Sequence, residues 1–133
     1  MKEMRCTIVV CLLLLMSGCT VMTSAPSRNP AVTALLEKAE VQTSAGQLNQ
    51  ADASLERALR IEPRNPVLWQ QLARLRFEQG LFSQAENLAR KSNSLAAGNR
   101  PLRKENWNII AQARHALGDV EGAQQAWDRA ARE

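Results

Sequence analysis

Trp69-Gln70-Gln71-Leu72-Ala73-Arg74-Leu75-Arg76-Phe77-Glu78-Gln79-Gly80 decides the fold, because its frame occurs three times. A large residue is followed by a small one four positions on and by Gly eleven positions on: Leu35, Ala39, Gly46; Trp69, Ala73, Gly80; Trp107, Ala111, Gly118. Five residues after each Gly stand Ala51, Ala85 and Ala123, and seven residues further Ala58, Ser92 and Ala130. Gly46 and Gly80 are 34 residues apart and Gly80 and Gly118 are 38, so about four residues are inserted near Ala97 to Arg103. A period of this length means one supersecondary unit repeated, each copy burying its apolar face on the next.

The unit is a helical hairpin. Small residues are required where two antiparallel helices approach to roughly 8 to 10 Å, with a large residue filling the space a turn away. Ala39 against Ala51 and Ala58, filled by Leu35 and Leu55, meets this in the first copy. Ala73 and Ala85, filled by Trp69, Leu72, Phe82 and Leu88, meet it in the second. Gly46, Gly80 and Gly118 stand where a first helix must stop in a left-handed C-cap, and Pro63 and Pro66 end one hairpin and begin the next. Six helices are expected, near 32–45, 48–61, 67–79, 82–96, 102–117 and 120–132. Composition agrees: aromatic residues make up 4% and Tyr is absent, which suits helices and disfavours strands. The inserted residues fit either a helical extension or a loop.

The pattern resembles the tetratricopeptide repeat. Trp69-Gln70-Gln71-Leu72-Ala73, Trp107-Asn108-Ile109-Ile110-Ala111 and the ending Ala58-Leu59-Arg60-Ile61-Glu62-Pro63 match it best. The resemblance implies an all-α domain over 32–133, with repeats at about 32–65, 66–99 and 104–133 stacked as a short right-handed solenoid. In such a stack the first helix of each hairpin lines a concave surface. Residues one, five and eight positions after Leu35, Trp69 and Trp107 should then face a partner: Leu36, Glu40 and Thr43, Gln70, Arg74 and Phe77, and Asn108, Gln112 and His115. An aromatic ringed by Arg and amides has the composition of an interface hot spot. Some family members hold a peptide's terminal carboxylate with Lys and Asn on these helices. Leu36, Gln70 and Asn108 occupy those places here, so that activity is not carried over.

A second candidate surface is basic: Arg90, Lys91, Arg100, Arg103 and Lys104 crowd the fourth helix and the insertion, and Arg57, Arg60 and Arg64 gather at the end of the second helix. Cations near helix C-termini offset the macrodipole; they also attract anionic head groups, glycan strands or an acidic protein face.

The N-terminal segment reads as an address. Lys2 and Arg5 precede an apolar stretch from Thr7 to Met16, too short to cross a bilayer core and of the length of a signal-peptide core. Leu15-Met16-Ser17-Gly18-Cys19 resembles the lipobox of bacterial lipoproteins, with Met16 where Leu is commonest. That resemblance implies a signal peptide over 1–18, diacylglyceryl transfer to Cys19, and a flexible tether over 19–31. Thr20 stands where Asp would signal inner-membrane retention, so the resemblance implies the periplasmic side of the outer membrane in a Gram-negative cell. Cys6 and Cys11 leave with the signal, and the domain then has no disulfide.

The formal charge of +4 is modest for a nucleic-acid binder, and an export signal disfavours that partner further. One His and no Cys beyond residue 19 argue against a metal site or a Cys/His nucleophile pair. No nucleophile, phosphate-loop or dinucleotide motif is present, so no enzyme activity, cofactor or metal is expected. Short lipoproteins of this repeat type resemble outer-membrane activators of bifunctional penicillin-binding proteins. Two alternatives are a pilotin that carries secretin subunits and a scaffold subunit of an envelope assembly machine, docking through Trp127 on an uncovered last helix. Replacing Cys19 by Ala is expected to move the protein out of the membrane fraction; retention in that fraction would mean an uncleaved signal anchor.

Overall fold

The computed structural model describes residues 27–133, and Cys19 with residues 1–26 lies outside them. Among the described residues the chain forms six helices and no strand: α1 (Pro30–Ser44), α2 (Leu48–Ile61), α3 (Pro66–Glu78), α4 (Phe82–Leu95), α5 (Arg100–Ala116) and α6 (Val120–Arg132). They pair as three antiparallel hairpins, α1 with α2, α3 with α4 and α5 with α6, each packing on the next. None of these helices is long and apolar enough to cross a membrane.

Local chemistry sets the boundaries. Each first helix opens on an asparagine cap: the side-chain oxygen of Asn29 accepts from Ala31 N–H (3.0 Å), that of Asn65 from Val67 N–H (3.0 Å), and that of Asn99 from Leu102 N–H (3.2 Å). Pro30, Pro66 and Pro101 occupy the first turns, where no amide proton is needed. Asp119 caps α6 through Gly122 N–H at 2.9 Å. Gly46, Gly80 and Gly118 take φ of +72°, +75° and +85°, the left-handed conformation that closes each hairpin turn.

The insertion adds helix. The α4–α5 connector spans only residues 96–99, and α5 runs for 17 residues against 13 in α3. Its first turn therefore lies ahead of the repeat frame, and the third hairpin starts at Arg100 rather than at 104.

Alanines occupy the helix crossings. Ala73, Ala85, Ala89, Ala111 and Ala126 form one cluster with Ile109 and Ile110, onto which Phe77, Leu88 and Trp107 pack. Ala39, Ala51, Leu55, Leu72 and Leu75 form a second, joined to the first through Leu88. Two expected contacts differ. Ala58 packs with Val32 and Leu68 rather than with Ala39. Trp69 is no core filler: Leu68 is fully buried in its stead, and Trp69 lies half-buried, its indole N–H donating to Pro63 O at 2.9 Å with Lys91 6.0 Å from its ring.

Buried polar groups tie the hairpins together. Asn106 Nδ2 donates to Ser92 Oγ (2.7 Å) and Asn93 Oδ1 (2.9 Å), and Ser92 Oγ donates to Pro66 O (2.7 Å), linking α5, α4 and α3. At the chain end Arg103 donates to Glu133 at 2.6 Å, and this guanidinium holds the Glu133 carboxyl below its usual range.

Gly80→Ala places an L-residue at φ +75° and is expected to cost about 1 kcal/mol. Gly98→Ala, at a glycine of ordinary φ with open space around its Cα, should be neutral or slightly stabilising. Urea unfolding midpoints of the two variants measure the difference.

Candidate functional site

The odd-numbered helices line one face of the stack, and two adjoining clefts open on it. One, of about 190 Å³, lies between α1 and α3 and is lined by Leu36, Glu40, Thr43, Gln71, Arg74 and Glu78, among others. The other, of about 410 Å³, lies between α3 and α5 and is lined by Arg74, Phe77, Glu78, Glu105, Asn108 and Gln112, with Ile109 at its floor. Arg74 and Glu78 belong to both, so the clefts form one continuous groove.

The register of α3 explains this wall. Leu72, Ala73 and Leu75 turn into the core, which leaves Arg74 and Glu78, four residues apart, on the outer face with Phe77 beside them. Phe77 does two things: it packs on the Ala73/Ile109 cluster and meets Phe82 edge-to-face at 5.2 Å, while its remaining surface lines the groove. A ring anchored in this way presents apolar area at little entropic cost.

Polar contacts shape the α3–α5 cleft. Glu105 Oε2 accepts from Arg74 (2.7 Å) and from Gln70 Nε2 (3.3 Å). Gln70 also points its amide at Leu102 O, 3.5 Å away. The two donors differ in setting: Gln70 is 2% exposed, whereas the Arg74 and Glu105 side chains are 47% and 52% exposed. Gln70 is thus a buried brace beneath the groove, while Arg74 is free to exchange Glu105 for a ligand.

The sequence-derived candidates separate. Arg74, Phe77, Asn108 and Gln112 share the groove, with Leu36, Glu40 and Thr43 on the neighbouring cleft. Gln70 lies below it, and His115 sits against Trp127 of α6, ring centroids 6.0 Å apart. The basic candidates take different partners. Arg90 pairs with Glu86 (2.7 Å), Lys91 faces Trp69, Arg100 donates to Arg132 O, Arg103 holds Glu133, and Lys104 is exposed.

Sequence reasoning missed Glu78 and Glu105. Glu78 carried a readable signal, the four-residue spacing from Arg74. Glu105 lies two residues before Trp107, at the place Val67 holds before Trp69, ahead of the frame positions taken to face a partner. With Glu40, these carboxylates outnumber Arg74 on the groove. Among the described residues no group of three or more His, Cys, Asp or Glu side chains is placed to hold a metal ion.

With this geometry the chain belongs to the tetratricopeptide-repeat family. The family model described as "Tetratricopeptide repeat" matches residues 42–104. More specifically, the chain is related to the globular C-terminal domain of P. aeruginosa LpoP, with 44% identity, a TM-score of 0.76, and coverage of 78% of this chain and 98% of that one. Two further solved structures share the fold: the N-terminal domain of stress-induced protein-1 (STI-1) from C. elegans, at 16% identity and TM-score 0.69 over 77% of this chain and 85% of that one, and the first tetratricopeptide domain of Spaghetti (RPAP3), bound to the HSP90 peptide SRMEEVD, at 21% and 0.69 over 80% and 82%. A comparison with curated protein sequences gave no match.

Arg74→Gln should leave stability within about 1 kcal/mol, since an exposed pair contributes little. Gln70→Ala, which removes a buried donor, should cost about 1–3 kcal/mol. Equal unfolding midpoints for the two variants would remove the distinction between groove wall and brace.

Proposed function

We propose that this protein is a lipid-anchored, periplasm-facing interaction module that binds a bifunctional penicillin-binding protein and activates peptidoglycan synthesis without chemistry of its own. The observation that carries the reading is the 44% identity to the LpoP domain over nearly all of that domain. The lipobox ending at Cys19 supports the export and anchoring half, and the groove around Phe77 supports the binding half.

Recognition works through a preformed wall. The hairpins hold Phe77, Asn108 and Gln112 in place before the partner arrives, so little ordering entropy opposes binding. Phe77 offers the apolar anchor, the amides of Asn108 and Gln112 pair with backbone or polar side chains, and Glu40, Glu78 and Glu105 favour a partner segment bearing Lys or Arg. Binding shifts the synthase toward its active conformation by as much as the groove's preference for that conformation allows.

Purified synthase, assayed for glycan polymerisation with and without this domain, tests the reading. Phe77→Ala is expected to weaken half-maximal stimulation about 30-fold, the effect of losing a hot-spot side chain worth about 2 kcal/mol, with the helical circular dichroism unchanged. Stimulation that is unaltered by Phe77→Ala would remove the groove from the mechanism; no stimulation by the unmodified domain would remove the partner.

A further inference from the structure

The ends of the helices fall on two opposite edges of the stack. One edge holds the starts of α1, α3 and α5 with the ends of α2, α4 and α6; the other holds the three glycine turns. The edges differ in charge. Counting connectors and the adjoining helical turns, the first edge has seven arginines against Glu62 and Glu133. The glycine-turn edge has Arg76 and Arg114 against Glu78, Asp119 and Glu121.

Both glutamates of the arginine edge are already engaged. Glu62 accepts from Ser27 Oγ (2.6 Å) and Asn65 Nδ2 (2.7 Å), and Glu133 is held by Arg103. Arg28, Arg60, Arg64 and Arg100 are exposed and make no ion pair among the described residues.

Macrodipole compensation does not account for this edge. It explains Arg60, Arg129 and Arg132, which lie in the last turns of α2 and α6. Arg28 and Arg64, however, immediately precede the caps of α1 and α3, and Arg100 opens α5, all at positive dipole ends. None of those three helices has an acidic residue in its first turn. The positive potential of the helix N-termini therefore adds to that of the side chains, which favours an anionic surface facing them.

The course of the chain says which surface that is. Ser27 is fastened to this same edge through Glu62, Asn29 N–H and Thr33 Oγ1. Cys19 and Ser27 are only eight residues apart, which at ~3.3 Å each reach no more than about 26 Å. A lipid on Cys19 thus keeps the arginine edge within one short tether length of the bilayer, so this edge reaches the surface without the chain having to double back. Ile61 is exposed beside Arg60 and Arg64, and the half-buried Trp69 lies one turn along, so apolar contact is available where the charges meet head groups.

We propose that the arginine edge rests on an anionic phospholipid surface, standing the helices upright so that the groove opens sideways, parallel to the membrane. The proposal deepens the anchored-lipoprotein reading and rests on lipidation at Cys19 for the tether's part in it.

Residues 20–133 contain all three core clusters and are the chain to test. Sedimentation with phosphatidylglycerol/phosphatidylethanolamine vesicles at low salt should show binding that is absent with phosphatidylcholine vesicles and lost at 0.5 M salt. Arg60→Gln/Arg64→Gln should weaken it at least about tenfold, as expected for two surface cations. Asn49→Asp/Gln84→Glu makes the same change in net charge on the glycine-turn edge and should leave binding within about twofold. Absence of binding, equal binding to both lipids, or equal loss in the two double variants would overturn the proposal. So would loss of synthase stimulation in detergent by Arg60→Gln/Arg64→Gln with vesicle binding intact, since that assigns the edge to the protein partner. The mass of the full chain recovered from cells reports lipidation separately. An unacylated Cys19 with vesicle binding intact sinks the anchor and supports the edge; an acylated Cys19 without vesicle binding does the reverse.

Discussion

The close approach of two helices at a methyl group is the constraint on which the rest of this structure depends. Ala51, Ala73, Ala85, Ala111 and Ala123 are fully buried, one or two to each hairpin, and a small side chain at such a crossing is what lets helix backbones approach closely. Because the same residue type recurs at the same register, the three hairpins repeat one geometry and the first helices fall side by side. The groove is a by-product of that alignment: residues on the outward face of α1, α3 and α5 have no further layer to pack against. Function is therefore free to vary on this face while the alanines hold the frame.

Much of this was legible because the alanine, glycine and proline positions report backbone requirements directly. A left-handed turn needs Gly, and a crossing needs a small side chain. Large residues were less informative. Trp69 and Leu68 are adjacent, and the repeat frame favoured the tryptophan as filler; the core took the leucine, because the indole N–H needs an acceptor and found Pro63 O at the surface. The caps at Asn29, Asn65 and Asn99 were readable by the same logic, yet they stand six, four and eight residues before the frame's large residue, so a search keyed to that residue passes over them.

The candidate site was legible in part, for a related reason. Positions defined by the frame, Arg74, Phe77, Asn108 and Gln112, share one groove. Helical offset alone cannot say whether a neighbour is covered: Gln70 lies on the same side as Arg74 but is overlaid by the first two turns of α5, whose Leu102 carbonyl and Glu105 face its amide. His115 stays exposed, but its ring lies against Trp127 of α6 rather than in the lining of the α3–α5 cleft. In both cases the deciding group comes from a different helix, and no local period encodes it.

The extra turn of α5 links fold to function more closely than its length suggests. It sets the Leu102 carbonyl over the Gln70 amide and carries Arg100 and Arg103 on the arginine edge, while the turn that follows brings Glu105 to Arg74, adding a carboxylate to a groove that already has Glu40 and Glu78. The first two turns of α5 thus serve two adjoining surfaces, the groove wall at Glu105 and the arginine edge at Arg100 and Arg103. At 1.5 Å per residue the 17 residues of α5 span about 25 Å. Were the proposed lipid anchor and edge contact in place, the groove would lie within a few tens of Å of the bilayer, the height to which a partner in the facing membrane would have to extend. The exposed Val41, Leu81, Leu117 and Val120 all lie on the glycine-turn edge, which in that arrangement would face away from the lipid and offer apolar contact there.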